Sequence, residues 1–307
     1  MFLTVVIPVG PNDNAKVERL LASIDRQAFP KEELEILLMR EGNSEEARAR
    51  GIEKAEGRII GCIDSDNILL GYTFLWDMAT EADREGITGA YPSHYAWMSE
   101  DPPLNRYFAL IGANDPLCWW LGKADRFSFM DKVPSGNSIR QCHGSIPTLG
   151  TNGFFVKAAI AKRFIQAWRL SHIEGCEAMR QAGYYTYIIT PNVIWHQTGD
   201  SLLSWSKKRL RYANELYWKQ ATNRQWRMVK GPGEWTRVAL FALSSICILP
   251  QLWVAIKGYR RIKDAAWFLH PIVCLLCTLT YAWSLILHGI DQLQVYMSNM
   301  FRRNRLS

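Results

Sequence analysis

The sequence predicts an α/β fold: a mostly parallel sheet flanked by helices, followed by a C-terminal pair of hydrophobic helices. Three features indicate this fold. Short apolar runs alternate with amphipathic segments over the first 230 residues, which favours a doubly wound sheet. Two carboxylates, Asp64 and Asp66, follow the third apolar run. The composition changes near residues 231–233, and two long apolar stretches come after that point.

The first two strands and helices are marked by their residue spacing. TVVIPV (residues 4–9) and LEILLM (34–39) are short apolar runs, as expected of buried strands. AKVERLLASIDRQ (15–27) has the apolar spacing of an amphipathic helix. SEEARARGIEKAEG (44–57) carries acidic residues in its first turn and a glycine at its end, which are the start and stop signals of a helix.

The third run, RIIGCI (58–63), predicts a strand that carries Asp64 and Asp66 at its carboxyl end. Ligands of doubly wound sheets bind at this edge. Carboxylate oxygens suit Mg²⁺ or Mn²⁺, which often complete their coordination with substrate phosphates. A turn that binds no metal is the alternative. The position after the third strand favours a metal site.

Composition and charge limit the possible partners. The chain has 307 residues, 48% of them hydrophobic, and a net charge of +7, which suits phosphate groups or an anionic membrane surface. No nucleic-acid partner is expected, because the basic residues are dispersed and no zinc-finger, RNP or helix-turn-helix pattern is present. The seven cysteines form no CxxC pair, which favours a reducing compartment over a disulfide scaffold.

The order VVIPV, then EGNSEEARARGIEKAEGRIIGCIDSDN, then GTNGFFV resembles glycosyltransferase family 2 of the GT-A group over roughly residues 3–200. The resemblance implies a Rossmann-like GT-A fold, a nucleotide-diphosphate sugar as donor, and Mg²⁺ or Mn²⁺ as cofactor. It also implies that Pro8, Val9 and the loop with Glu41 and Asn43 hold the base and ribose. That loop, REGNS, differs from the Asp-containing D-G-S loop usual in the family, so the identity of the base stays open.

The resemblance further implies that Asp64 and Asp66 bind the metal and diphosphate. His196, at the end of the strand YIITPNVIWH, would join them as a metal ligand, with a structural hydrogen bond as the alternative. Four residues would line the donor sugar and acceptor: Gly150, Thr151, Asn152 and Gly153.

Inverting transfer is expected to use a carboxylate that removes the proton of the acceptor hydroxyl. In the family it lies at the start of a helix after GTNG, which corresponds to HIEGCEAMRQAG ending at Gly183. This places the base at Glu174, with Glu177, one turn later, as the rival. A phosphate acceptor would need no base.

A basic amphipathic helix over about residues 201–228 is expected to end a catalytic domain of residues 1–230. Its Lys208 and Arg209 would neutralise the departing diphosphate or meet anionic headgroups. The processive-synthase pattern Q-x-x-R-W is not matched by QATNRQW, whose spacing differs, so transfer of a single sugar is favoured.

Residues 231–307 are expected to form a membrane-associated helical hairpin with a basic tail at Arg302, Arg303 and Arg305. The apolar stretches 238–256 and 265–288 approach the roughly 20 residues that cross a bilayer. The connecting segment KGYRRIKD is basic. In a two-span hairpin whose other flanks lie inside, this segment would lie outside, contrary to the positive-inside rule. Spanning and re-entrant or interfacial arrangements therefore both stay open.

The sequence thus predicts a membrane-bound glycosyltransferase whose catalytic domain faces the cytoplasm. It would transfer one sugar, with inversion and with a divalent metal, to a lipid-linked or cell-envelope glycan acceptor. One alternative is a polyprenyl-phosphate glycosyltransferase that makes a lipid-phosphate sugar. The non-enzyme alternative is an inactive membrane-bound scaffold of the same fold.

Overall fold

A computed structural model describes residues 1–133, 135–199 and 201–303, without the side chains of Asp291 and residues 293–303. Its strands are β1 (Leu3–Pro8), β2 (Leu34–Met39), β3 (Ile59–Cys62), β4 (Asn67–Leu69), β5 (Gly89–Tyr95), β6 (Ser138–Gln141), β7 (Phe154–Lys157) and β8 (Thr186–His196). Its α-helices are α1 (Asn14–Asp25), α2 (Ser44–Lys54), α3 (Phe74–Asp83), α4 (Pro103–Ile111), α5 (Pro116–Trp120), α6 (Ala158–Ala161), α7 (Ile165–Leu170), α8 (His172–Gln181), α9 (Leu202–Tyr212), α10 (Gly231–Cys247), α11 (Leu249–Arg261) and α12 (His270–Arg303). Short 3₁₀ turns cover Lys31–Glu33, Lys162–Phe164 and Ala265–Leu269.

The described strands form one sheet in the order β2-β1-β3-β7-β5-β8-β4, with β6 paired to β8. β1 is parallel to β2 and β3, and β5 is parallel to β8. β4, β6 and β7 are antiparallel to their neighbours. The predicted α/β fold is confirmed. The sheet is more mixed than expected, because β7 enters between β3 and β5 in the opposite direction.

Side chains alternate across the sheet and build one core on each face. Val5 and Ile7 of β1 belong to the core that α1 and α3 cover. Val6, between them, belongs to the core that α2, α4, α8 and the C-terminal helices cover. Each buried valine or isoleucine stabilises the fold by roughly 1.5–3 kcal/mol. The chain is therefore layered helix, sheet, helix.

The first C-terminal apolar stretch is not one straight helix. α10 and α11 meet at an angle of 87°, and Ile248 between them has a φ of +62°. Pro250 lies in the first turn of α11, where it lacks an N–H and its ring would clash with the preceding turn of a continuous helix. The predicted pair of hydrophobic helices is thus a bent pair followed by α12.

By length and composition, one described helical segment, Ala265–Ile290, is apolar enough to cross a membrane. The bent α10–α11 pair counts as a second span only if the two helices form one broken span. Asp264 fixes this region to α4 and its neighbourhood, because it accepts hydrogen bonds from Arg106 Nε at 2.8 Å and Trp97 Nε1 at 2.7 Å. The predicted basic tail lies outside the described residues at Arg305, as do the side chains of Arg302 and Arg303.

The basic helix predicted over 201–228 ends earlier. α9 continues through a π-helical turn, Ala213–Trp218, and regular helix stops there. Further along, the N–H groups of Gln225 and Trp226 donate to the carboxylate of Glu174, at 2.8 Å and 3.3 Å. These N–H groups are therefore not available to helical carbonyls, and the chain turns back onto α8.

Candidate active site

A polar cleft of about 200 Å³ lies at the carboxyl ends of β1 and β3. The chain contributes to it from segments that are far apart in sequence. Its charged and polar lining consists of Asp13, Ser44, Glu45, Arg48, Asp64, Ser65, Asp66, Thr151, His172, Lys208 and Tyr212, with Pro8, Val9, Gly10, Gly42 and Ala47 completing the wall.

Arg48 of α2 is the buried cation of this cleft. Its Nη2 donates to Asp64 Oδ1 at 2.7 Å, and its Nη1 donates to Glu45. Burial alone would lower the pKa of Arg48, but the charges of Glu45 and Asp64 outweigh it and raise the pKa above its usual range. Arg48 is thus a permanent positive charge that joins α2 to the end of β3.

His172, the first residue of α8, is held by Glu45. Its ring Nδ1 lies 2.8 Å from Glu45 Oε1, and its backbone N–H donates to Oε2 at 2.8 Å. Burial raises the pKa of Glu45, but Arg48 and His172 outweigh that effect and lower it to about 2. An ionised carboxylate only accepts hydrogen bonds, so Nδ1 carries the proton. The lone pair of a neutral His172 is then on Nε2.

Asp66 and His196 form a second, unusual pair. His196 Nδ1 is 3.1 Å from Thr198 Oγ1, and that hydroxyl donates to Asn114 Oδ1 at 3.0 Å. Nδ1 is therefore the donor, and Nε2 presents its lone pair to Asp66 Oδ1, 3.6 Å away. Burial lowers the pKa of His196 and keeps the ring neutral.

Two hydrogen-bond acceptors therefore face each other in a buried place. Asp66 Oδ1 is buried and has no hydrogen-bond partner among the residues that the structure describes, which is costly unless a proton or cation lies there. A carboxylate oxygen and an imidazole nitrogen suit Mg²⁺ or Mn²⁺, and the Thr198 hydrogen bond fixes the ring as a second-shell partner would. The described residues contain no cluster of three or more metal ligands, so water or substrate would complete the coordination. The residues fit such a cation.

The structure brings many of the predicted residues together and leaves others outside. The predicted residues that line the cleft are Pro8, Val9, Asp64, Asp66, Thr151 and Lys208. Glu41 is not among them: its side chain is exposed and lies 3.4 Å from Arg50. Asn43 caps α2, where its Oδ1 accepts from the N–H groups of Glu45 and Glu46 at 3.0 Å.

In the predicted GTNG segment, only Thr151 lines the cleft. Gly150 has a φ of +118°, and a Cβ there would lie 2.8 Å from the carbonyl oxygen of His172, so this glycine lets α8 approach. Asn152 is buried and donates from Nδ2 to the hydroxyl of Tyr95 at 3.0 Å. Gly153 bonds through its N–H to the carbonyl of Cys62 at 3.0 Å. Gly150, Asn152 and Gly153 therefore position the elements around the cleft without lining it.

The assignment of Glu174 as a general base needs correction. Glu174 is buried and outside the cleft, and its carboxylate pairs with Arg224 Nε at 2.8 Å. Its rival Glu177 is also buried and bonds both Arg180, at 2.8 Å, and Lys230, at 3.3 Å. A carboxylate held by an ion pair in the interior stabilises the fold and has no access to an acceptor in the cleft.

Arg209 also differs from the prediction. Its guanidinium lies 3.9 Å from Asp115 Oδ2 and 4.9 Å from the ring centre of Tyr212, and Arg209 does not line the cleft. Lys208, one residue earlier, lines the cleft. Successive residues of an α-helix point about 100° apart, which explains why only one of the two neighbouring cations faces it.

Sequence reasoning missed Glu45, Arg48 and His172. The only available signals were the arginine in the helix before D-x-D and the histidine directly before IEG. Tyr212 and Asp13 carried no signal. Asp13 accepts from Gly10 N–H and Ser65 Oγ, both at 3.0 Å, and so closes the rim between β1 and the D-x-D turn.

No protein-family model and no curated protein sequence matches the chain. Similar solved structures include the mannosyltransferase PcManGT from Pyrobaculum calidifontis in complex with GDP-Man and Mn²⁺, at 12% identity and TM-score 0.47 over 92% of this chain and 87% of that chain. S. aureus TarS 1-349 matches at 12% identity and TM-score 0.43, over 92% and 89%. GalNAc-T7 with UDP, GalNAc and Mn²⁺ matches at 10% identity and TM-score 0.40, over 75% and 53%. At such low similarity we draw no functional conclusion from these likenesses.

The low pKa of Glu45 predicts how acid weakens the fold. The folded-state pKa, about 2, lies below the ordinary value of 4.5, so the stabilisation is complete above pH 4.5 and lost as the pH falls through 2. For such a shift, Glu45 contributes at most about 3 kcal/mol to the free energy of unfolding at neutral pH. This contribution falls by about 2 kcal/mol between pH 6 and pH 3. Denaturant unfolding in detergent, followed by tryptophan fluorescence, should show Glu45→Gln less stable than wild type at pH 6, with a smaller difference at pH 3. Glu46→Gln, on the exposed side of the same turn, is the control; equal pH dependence in both variants would contradict the ion-pair assignment.

Proposed function

We propose that the protein is an inverting, metal-dependent glycosyltransferase that moves one sugar from a nucleotide-diphosphate sugar to a lipid-linked or cell-envelope glycan acceptor. One observation carries the proposal. A single cleft gathers the end of β1, the D-x-D turn, Thr151 and Lys208, which the resemblance to glycosyltransferase family 2 assigns to one donor. Two facing acceptors, Asp66 and His196, lie at the same edge.

The donor would lie across this edge of the sheet. Pro8 and Val9 would contact the base and ribose, together with Gly42 of the loop after β2 and Ser44 at the start of α2. Asp64, held by Arg48, would accept a ribose hydroxyl or face the cation. A bound Mg²⁺ or Mn²⁺, held by Asp66 and His196, would offset the charge that builds on the departing diphosphate. Lys208 would add a fixed positive charge against the same group.

His172 is the residue best placed to act as general base. Its Nδ1 is 2.8 Å from Glu45, so Nε2 can accept the proton of an acceptor hydroxyl, and the carboxylate of Glu45 stabilises the resulting imidazolium. The hydroxyl oxygen attacks the anomeric carbon as its proton passes to Nε2. The bond from that carbon to the diphosphate breaks, and its electron pair leaves with the diphosphate.

We assign residues 1–230 as the catalytic part and residues 231–307 as the membrane-associated part. The apolar segment Ala265–Ile290 supports a membrane location. We place the cleft on the cytoplasmic side. All seven cysteines are free, which supports a reducing compartment.

Metal-dependent nucleotide binding tests the donor assignment. Calorimetric titration with UDP, GDP and dTDP, each with and without Mn²⁺, should find one nucleotide whose binding requires the metal. Asp66→Asn should weaken that binding at least about tenfold, the equivalent of ~1.4 kcal/mol, because it removes a charged ligand. Asp25→Asn, an exposed carboxylate paired with Lys31, should leave binding unchanged. If none of the nucleotides binds in a metal-dependent way, the inactive scaffold becomes the better description.

Substitution of His172 tests the mechanism of transfer. His172→Gln keeps a polar side chain but removes the base, so sugar transfer to a hydroxyl acceptor should fall by about 10²–10⁴-fold. Mn²⁺-dependent nucleotide binding should stay close to wild type. The measurement is transfer of radiolabelled sugar into membrane lipid extract at saturating donor. Nearly full activity would instead indicate an acceptor that is already ionised, as in a polyprenyl-phosphate glycosyltransferase.

A further inference from the structure

A second cavity, of about 430 Å³, lies between α10, α12 and the segment after α9. Its walls are almost entirely apolar and include Trp218, Trp235, Phe241, Ala242 and Leu285. The volume is within the roughly 300–1,000 Å³ of small-molecule ligand pockets. Water in such an apolar cavity would find few hydrogen-bond partners. The cavity, called the apolar groove below, therefore suits a hydrocarbon ligand.

Two of the walls belong to the most apolar part of the chain. α12 contains the segment that is long and apolar enough to cross a bilayer. Leu240 and Leu243 of α10, and Ile286 of α12, are exposed large hydrophobic residues on the same helices. In a membrane, these two helices would place the apolar groove beside the hydrocarbon region, from which a lipid chain would enter it.

Two arginines, Arg224 and Arg227, line the apolar groove. Arg224 is neutralised by Glu174, at 2.8 Å. The side chain of Arg227 is exposed and takes part in no ion pair within the described part of the chain. One uncompensated cation beside a hydrocarbon pocket is complementary to a lipid with an anionic headgroup.

The apolar groove shares supporting elements with the cleft. On α8, His172 lines the cleft, and Glu174, two residues later, holds Arg224 and Trp226 in the wall of the groove. Two residues along a helix correspond to a rise of about 3 Å. On α9, Lys208 lines the cleft, while Arg209 contacts Asp115.

Asp115 completes this link. Its carboxylate accepts hydrogen bonds from the hydroxyl of Tyr281 and from the N–H of Leu117, and both residues line the apolar groove. The same two helices that present His172 and Lys208 to the donor therefore support the wall of the groove.

We propose that the apolar groove holds the hydrocarbon chain of an anionic lipid, with its phosphate at Arg227, and that this lipid carries the acceptor. The second half of this statement rests on the proposed function. Because α8 carries both His172 in the cleft and Glu174 behind the groove wall, a hydroxyl beyond the phosphate of this lipid is then the group that His172 would deprotonate. The substrate class is then a phosphate-linked membrane lipid bearing a sugar or another alcohol.

Photo-crosslinking tests the occupancy of the groove directly. The full chain, in nanodiscs of phosphatidylcholine, is exposed to an alkyl phosphate that carries a diazirine in its chain, and labelled residues are mapped by mass spectrometry. Labels should concentrate on the residues of α10 and α12 that line the groove. Ala242→Trp fills the groove and should reduce this labelling at least about fivefold. Ala239→Trp makes the same change at an exposed position of α10 outside the groove and should leave labelling intact.

Two results would overturn the proposal: labels spread evenly over the exposed faces of α10 and α12, or equal labelling of the two tryptophan variants. Competition by excess unlabelled alkyl phosphate, but not by the corresponding neutral alcohol, is expected from the role of Arg227, and Arg227→Ser should abolish that preference. If the alcohol competes equally well, the anionic headgroup is ruled out.

Mn²⁺-dependent nucleotide binding is measured on the same samples. If the groove is labelled but wild type shows no Mn²⁺-dependent nucleotide binding, the proposed function is wrong. If wild type shows that binding but the groove is not labelled, only the inference about the lipid is wrong.

Discussion

A guanidinium buried in a protein interior must be matched by negative charge, and Arg48 is buried beside the cleft. Its partners come from two elements, since Asp64 follows β3 and Glu45 begins α2. Glu45 extends the constraint to α8, because its carboxylate accepts both the ring and the backbone N–H of His172. Loss of one partner in a buried ion pair typically costs about 3–5 kcal/mol. The relative placement of the D-x-D turn, α2 and His172 therefore depends on the charge of Arg48.

The pair of Asp66 and His196 shows the opposite condition, in which two acceptors lack a donor among the described residues. Thr198 Oγ1 accepts the hydrogen bond of His196 Nδ1–H, and burial lowers the pKa of the ring. A cation between the two would satisfy both, and substrate phosphate oxygens would complete its coordination. With such a cation bound, Lys208 would be the second positive charge in the cleft that faces a diphosphate, since Arg48 is already paired with Asp64 and Glu45. This arrangement is consistent with the proposed transfer from a nucleotide-diphosphate sugar.

The strands and helices around the cleft could be predicted from sequence, because buried strands are short apolar runs and amphipathic helices repeat every 3.6 residues. The position of Asp64 and Asp66 at the end of β3 followed from the same pattern. Which side chain of a helix faces the cleft could not be predicted, since neighbouring helical residues point about 100° apart. The sequence favoured Glu174, and Lys208 together with Arg209, whereas His172 and Lys208 line the cleft. The role of Glu174 was also ambiguous, because an acidic residue in the first turn of a helix can be either a general base or a partner in a buried ion pair. Glu174 is the latter, since it pairs with Arg224.

The long-range contacts at the C-terminus were equally beyond the sequence. Pro250 lies at the bend of the apolar stretch, but the 87° angle depends on how α11 packs against α12 and the 3₁₀ turn before it. The return of residues 224–226 to α8 depends on a carboxylate fifty residues earlier in the chain. Such contacts shape the apolar groove, and no local pattern encodes them.

We propose that Asp66 and His196 bind one divalent cation together. Pulsed electron paramagnetic resonance of Mn²⁺ added to the full chain, with the nucleotide diphosphate that binds best, tests whether they do. We expect a hyperfine coupling from a directly bound nitrogen, which disappears in His196→Gln and persists in a variant of a histidine outside the site, His143→Gln. A spectrum without directly bound nitrogen, or one that is unchanged in His196→Gln, would contradict it.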